Sequence, residues 1–270
     1  MDLLLLVLFA IGMLSGFLGG LLGIGGGVVI VPALVIVYAV SGRIADEYAT
    51  LIAVATSLTC IVFTSLSAAI TQARAGMVSW TIFRRMVAFF IAGAFCAGLA
   101  IPYLPEVALR LFIAIFLGVV GIIMFMNWKP DPRRTLPGTP GLGGIGFGGG
   151  FVSGTAGIAG GNVIVPTLVF FNVPIHQATA TSSAMGVLIA LSGAIGYALG
   201  TGNTHAEASW MLGHIDLYSG ALIVVGAIIC APIGVKTAHR VAAGTLKRVF
   251  GLLLLGVSLR MAYTAFTLGG

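Results

Sequence analysis

One stretch occurs twice in this chain, and its duplication constrains the fold more than any other feature. Residues 16–34 read GFLGGLLGIGGGVVIVPAL and residues 150–168 read GFVSGTAGIAGGNVIVPTL. Gly16 falls on Gly150, Gly23 on Gly157, Gly26 and Gly27 on Gly160 and Gly161, and Pro32 on Pro166, at a constant offset of 134. An ungapped internal repeat separated by about half the chain means two homologous halves. They are read as 1–128 and 142–270, joined by a linker at 129–141, KPDPRRTLPGTPG, rich in proline and basic residues.

Of the 270 residues 59% are hydrophobic and only 7% charged. Soluble domains carry roughly 25% charged residues, so this chain has too little polar surface to cover itself with water. Apolar runs of bilayer-spanning length lie near 3–22, 49–72, 83–101, 108–126, 178–199, 216–235 and 246–267. The fold class is an all-α polytopic membrane protein, and the lipid bilayer is its first partner. The net charge of +6 sits in short loops between apolar runs, which is a topology signal and excludes nucleic acid as a partner. MDLLLLVLFAIG lacks a basic leader and reads as a retained first helix. Cys60, Cys96 and Cys230 are dispersed in apolar runs and read as small buried hydrophobes, with a minor possible thiol role at Cys60.

Two kinds of glycine can be told apart. Gly12, Gly16 and Gly20, and their counterparts Gly146, Gly150 and Gly154, recur every four residues, the spacing at which helix backbones approach closely in lipid. GIGGG at 23–27 and GIAGG at 157–161 instead concentrate glycine enough to stop a helix. The apolar runs that follow are too short to span a bilayer, so each reads as a half-helix, starting near Val28 in the first half and bent at Pro32. Non-helical backbone at membrane depth is tolerated only inside protein or beside a cavity.

Basic loops around Arg74–Arg85, Lys129–Arg134 and Lys236–Arg248 read as cytoplasmic; the loops at 41–48, 102–107 and 200–216 read as external. Equivalent loops then face opposite sides. Each half has about five helical segments, including a broken or re-entrant pair, so the second copy is inverted, and both termini lie outside. Inversion brings the breaks face to face near the midplane. The free N–H groups at Gly23, Gly25, Gly26, Gly27 and Val28, and at Gly157, Gly160, Gly161 and Asn162, then form an anion site without an arginine. Carbonyls at the same breaks offer a cation site instead. Thr56, Ser57, Thr181, Ser182 and Ser183, at matched positions, supply hydroxyls either to a ligand or to neighbouring backbone. Asn162 is read as an N-cap or a direct ligand.

Other patterns fail their context tests. Gly144, Gly146 and Gly149 fit GxGxxG without a preceding strand. His205, Glu207, His214 and Asp216 share a loop at no metal-binding spacing and read as solvated, and His176 reads as a helix cap or a solvated loop residue. No nucleophile triad, HExxH or nucleotide-binding loop occurs, so the chain reads as neither an enzyme nor a cofactor binder.

The paired GxxGxGGGxxxVPxL (Gly20–Leu34) and GxxGIxGGxxxVPxL (Gly154–Leu168), each followed by an ATS or TSS segment, resemble the TauE/SafE anion permeases, the TSUP family. The resemblance covers essentially the whole chain. It implies a carrier in the bacterial inner membrane, moving sulfite, sulfoacetate or another organosulfonate, usually in export. The small anion is then the substrate partner, alternating access the mechanism, and a homo-oligomer is left open. A passive anion channel and a non-transporting scaffold are the alternatives.

Overall fold

A computed structural model of the chain describes residues 2–22, 25–126, 137–200, 210–238 and 243–269. Ten α-helices account for nearly all of it: α1 (Asp2–Leu22), α2 (Gly27–Ser41), α3 (Ala49–Arg74), α4 (Trp80–Ala100), α5 (Glu106–Phe125), α6 (Thr139–Ala156), α7 (Gly161–Phe170), α8 (Ile175–Leu199), α9 (Leu217–Ala238) and α10 (Ala243–Gly269). A short hairpin of β1 (Met211–Leu212) and β2 (Ile215–Asp216) precedes α9. Among the described residues six helices are long and apolar enough to cross a membrane, while α2 and α7 are shorter apolar helices. The chain is an all-α multi-pass membrane protein.

At 1.5 Å per residue, the 15 residues of α2 reach about 22 Å and the 10 of α7 about 15 Å, against roughly 30 Å of hydrocarbon. Both are short for the same reason. Each starts at a glycine break and carries an internal proline, Pro32 or Pro166, that gives no N–H to the helix ladder. α2 is nonetheless buried along most of its length, including Val28, Ile30, Leu34 and Tyr38.

The four-residue glycine rows lie at helix contacts that join one half to the other. α1 packs along α9, where a Cβ on Gly12, Gly16 or Gly20 would overlap the carbonyls of Ile223, Ala227 or Ala231. α6 packs along α4 in the equivalent manner; a Cβ on Gly150 would overlap the Phe90 carbonyl, and one on Gly154 would lie 3.0 Å from the Ala94 carbonyl oxygen. In lipid, such backbone contact replaces the hydrophobic drive that holds soluble helices together.

Helix directions follow from the paired residues. Leu58 meets Gly193 and Ser65 meets Gly186, so α3 runs antiparallel to α8, its counterpart in the second half. Ser258 donates to the Ala114 carbonyl at 2.7 Å, and Gly251 abuts Phe125, so α5 and α10, also counterparts, run antiparallel. At one end of the bundle, buried Arg110 binds Glu106 at 2.9 Å, the Asp46 carbonyl at 3.2 Å and Thr50 at 3.1 Å. That cluster joins the loops at 41–48 and 102–107, both read as external.

The cysteines divide. Cys60 and Cys230 are buried, whereas Cys96 is exposed on the flank of α4, correcting the expectation of three buried thiols. The side chain there meets the outside of the bundle, where lipid accepts a thiol as readily as a core does.

Replacing Gly16 with leucine forces a side chain into the Ala227 carbonyl, and overpacking of this kind costs about 1–3 kcal/mol. The melting temperature of the detergent-solubilised protein is expected to fall accordingly. Gly144→Ala, whose new Cβ meets nothing within 4 Å, is expected to leave it unchanged.

Candidate functional site

The glycine breaks have the backbone that only glycine adopts cheaply. Gly25 and Gly26 lie at φ 75° and 78°, Gly157 and Gly160 at 68° and 78°. Gly26 is the residue before α2, and its carbonyl accepts the N–H groups of Val29 at 3.0 Å and Ile30 at 3.3 Å. Gly160 repeats the arrangement before α7, with Val163 at 2.9 Å and Ile164 at 2.7 Å. The donors left over in each first turn are those of Gly27 and Val28, and of Gly161 and Asn162. Gly23 lies outside the described residues.

The two breaks touch. A Cβ on Gly27 would overlap the Gly157 carbonyl oxygen and lie 3.2 Å from the Ile158 Cα, and one on Gly25 would overlap the Ala159 methyl. All these residues are buried. α3 passes beside both breaks and secures them: Ser57 donates to the Gly157 carbonyl at 2.9 Å and Thr64 donates to the Gly25 carbonyl at 3.1 Å. Ser57 and Thr64 are separated by about 10 Å along the helix and bracket the middle of α3. Both breaks therefore sit deep in the bundle, far from either end of that span.

The matched hydroxyls have individual occupations. Thr56 accepts the N–H of Asp216 at 2.9 Å, and Thr181 accepts the N–H of Ser79 at 3.0 Å. These are equivalent bonds: each ties the residue preceding α9 or α4 to the third segment of a half. Ser183 donates to the Thr179 carbonyl at 3.0 Å and accepts from Gln72 at 3.3 Å. Ser182 is buried and has no hydrogen-bond partner. Asn162 is not the cap of α7, a position held by Gly160; it stands in the first helical turn with its amide nitrogen unpartnered. Its capping role is corrected, because the left-handed glycine turn already begins the helix.

Ser65 escaped the sequence reading. It is 1% exposed, has no hydrogen-bond partner, and its Oγ lies 3.1 Å from where a Cβ on Gly25 would stand. Repeat comparison hides it, since the equivalent position, 125 residues on, is Ala190.

The loop before α9, read as external, holds a second surprise. His214 and Asp216 are each 3% exposed, not solvated, because the β1–β2 hairpin folds inward against α3. Asp216 caps α9: its Oδ1 accepts the N–H groups of Tyr218 at 3.1 Å and Ser219 at 3.2 Å, and its Oδ2 accepts the Ser219 hydroxyl at 2.6 Å. The Tyr38 hydroxyl, near the end of α2, donates to the same oxygen at 3.2 Å. His214 Nδ1 meets the Tyr197 carbonyl at 3.0 Å, and Cys60 donates to the Gly220 carbonyl at 3.6 Å. His205 and Glu207 lie outside the described residues. Among the described residues no group of three or more His, Cys, Asp or Glu is placed to hold a metal.

Asp216→Ala removes an N-cap and strands the Tyr38 and Ser219 hydroxyls, at a cost of about 2 kcal/mol. Asp216→Asn retains one capping oxygen and is expected to recover more than half of that loss in the same detergent melt.

The chain matches the family described as "Sulfite exporter TauE/SafE" over residues 8–261. It is 28% identical over 260 residues to a protein of Haemophilus influenzae described as a probable membrane transporter protein, covering 95% of this chain and 97% of that one. A protein of Methanocaldococcus jannaschii with the same description is 27% identical over 256 residues, covering 93% of each chain. One of Bacillus subtilis is 23% identical over 280 residues, covering 95% of this chain and 97% of that one. No solved structure matches. With a duplicated, buried pair of broken helices and a family match over nearly its whole length, this chain belongs to the TauE/SafE sulfite exporter family of membrane transporters.

Proposed function

We propose that the protein is a secondary transporter that exports a small sulfur-containing anion, sulfite or an organosulfonate such as sulfoacetate, across the bacterial inner membrane. The observation that carries this reading is the contact between the two glycine breaks, deep in the bundle, where each begins a half-helix. A helix start offers unpaired N–H donors and about half a positive charge. Two of them, shielded from water, favour an anion without any buried cation at that depth. The family description, sulfite exporter, supports the substrate class and the direction.

The halves are inverted copies on this reading, supported by the antiparallel packing of α3 with α8 and of α5 with α10. Alternating access then follows from exchanging two packings related by a pseudo-two-fold axis in the membrane plane. The bodies that move are not the two halves of the sequence, because α1 is fastened to α9 and α6 to α4 by backbone contacts. They are instead α1–α3 with α9 and α6–α8 with α4, which meet along α3 and α8 at the level of the breaks. With the breaks in contact the path is closed at its centre. The anion enters as the α3–α8 seam loosens towards one face and leaves as it loosens towards the other. No nucleotide-binding motif occurs in the sequence, so the membrane potential or an ion gradient drives the flux.

A branched side chain at Gly26 or Gly160 must adopt φ near 78°, where a residue with a Cβ is strained by about 1–2 kcal/mol. At Gly26 it also collides with the Ser15 carbonyl. Gly26→Val and Gly160→Val are each expected to abolish uptake of radiolabelled sulfite into proteoliposomes. Flux at the parental rate would contradict the site.

A further inference from the structure

The last helix carries a charge that the bundle leaves alone. α10 packs antiparallel along α5 in a register fixed by Ser258 against Ala114 and Gly251 against Gly121. α5 is long and apolar enough to cross a membrane, so α10 lies beside it at membrane depth. In that register Arg260 stands level with Phe112, about 9 Å inside the end of α5 that begins at Glu106. Leu254, Met261 and Ala265, on the inward face of α10, are buried. Arg260 is on the other face, exposed, with Leu259 at 72% and Tyr263 at 70% exposure beside it. A Cβ on Gly256, one turn before Arg260, would meet nothing within 4 Å. This face looks into lipid.

An arginine at such a depth is rare, and costly unless it is paired. Arg110, at nearly the same depth on α5, shows what pairing takes: it is bonded to Glu106, to the Asp46 carbonyl and to Thr50. Arg260 has no ion pair or hydrogen bond with any described residue. Nor does the fold require a cation there. Arg110-Leu111-Phe112 recurs as Arg248-Val249-Phe250, and at that offset of 138 the counterpart of Arg260 is Ile122, likewise exposed, at 49%. The unpaired guanidinium therefore needs an acceptor from outside the chain. Within reach of a snorkelling side chain, the bilayer offers the phosphates of its headgroup layer. Tyr263, one turn nearer the end of the helix, is an amphipathic ring of the kind that sits at that layer. We propose that Arg260 and Tyr263 form a site for an anionic phospholipid in the leaflet at the Glu106 end of α5. The guanidinium holds the phosphate as a bidentate pair, and the acyl chains run inward past Gly256 and Leu252. The loop charges read that leaflet as the outer one. The site is independent of the substrate reading above, because neither break belongs to α5 or α10.

The test is thermal stabilisation of the purified full-length protein in a non-ionic detergent, titrated with three probes. These are dioctanoyl phosphatidylglycerol, dioctanoylglycerol, which has the same chains and no phosphate, and inorganic phosphate. Only the phospholipid is expected to raise the melting temperature saturably. Arg260→Ile, taking the residue of its counterpart, is expected to leave the lipid-free melting temperature unchanged or higher. Its apparent Kd for the phospholipid is expected to rise about tenfold, the loss of hydrogen bonds to a charged group. Arg260→Lys, which keeps the charge and loses the planar fork, is expected to fall between the two. Undiminished affinity in Arg260→Ile overturns the site, as does a parent that phosphatidylglycerol does not stabilise. Equal stabilisation of the parent by dioctanoylglycerol or by inorganic phosphate overturns it too, since chains or a free ion would then suffice. A smaller particle for Arg260→Ile than for the parent in light scattering assigns the guanidinium to a second copy of the chain and overturns the lipid as its partner.

Discussion

A peptide group in the middle of a membrane has no water to fall back on, and the whole architecture answers to that constraint. Six described helices are long and apolar enough to satisfy it by crossing. The breaks before α2 and α7 cannot, and the protein deals with them by burying each against the other. Ser57 and Thr64 then each donate to one buried carbonyl of a break. One carbonyl of each break is thereby paired, and the first N–H groups of α2 and α7 keep the positive end of the helix.

Holding two breaks together demands that the rest of the bundle be stiff, and the glycine rows supply that stiffness. α1 and α6 lie so close to α9 and α4 that carbonyl oxygens occupy the places where side chains would begin. Each contact crosses from one half of the sequence to the other. The halves are therefore interlocked, and they also meet along α3 and α8. Along that seam α3 carries one break's anchor at Ser57 and the other's at Thr64, so one helix holds both breaks.

How much of this was legible in the chain depended on how local the signal was. Helix ends and breaks were, because glycine clusters, prolines and apolar run lengths act within a few residues: α2 starts at Gly27 and α7 at Gly161, within two residues of where the glycines place them. The crossing of α1 to α9 was half visible, in that Gly226, Ala227, Ala231 and Gly234 form the small-residue face that Gly12, Gly16 and Gly20 require, but nothing in either helix names its partner. The matched threonines were found by repeat comparison yet turn out to hold backbone, because a hydroxyl's acceptor is chosen by tertiary neighbours. His214 and Asp216 were misplaced for the opposite reason. A polar loop was taken to face water, and only the inward fold of a two-strand hairpin, too short to leave a pattern, buries them. Ser65 was invisible to any method that trusts symmetry.

The account stands or falls on whether an anion occupies the buried contact between the breaks. Selenite, a heavier analogue of sulfite, makes the question direct: an anomalous difference map from crystals of the protein soaked in selenite locates selenium without reference to side-chain interpretation. The account predicts a peak within hydrogen-bonding distance of the first turn of α2 or α7, enclosed between Gly25–Val28 and Gly157–Asn162. Selenium found only at the surface arginines, with the breaks still packed against each other and unoccupied, would contradict it.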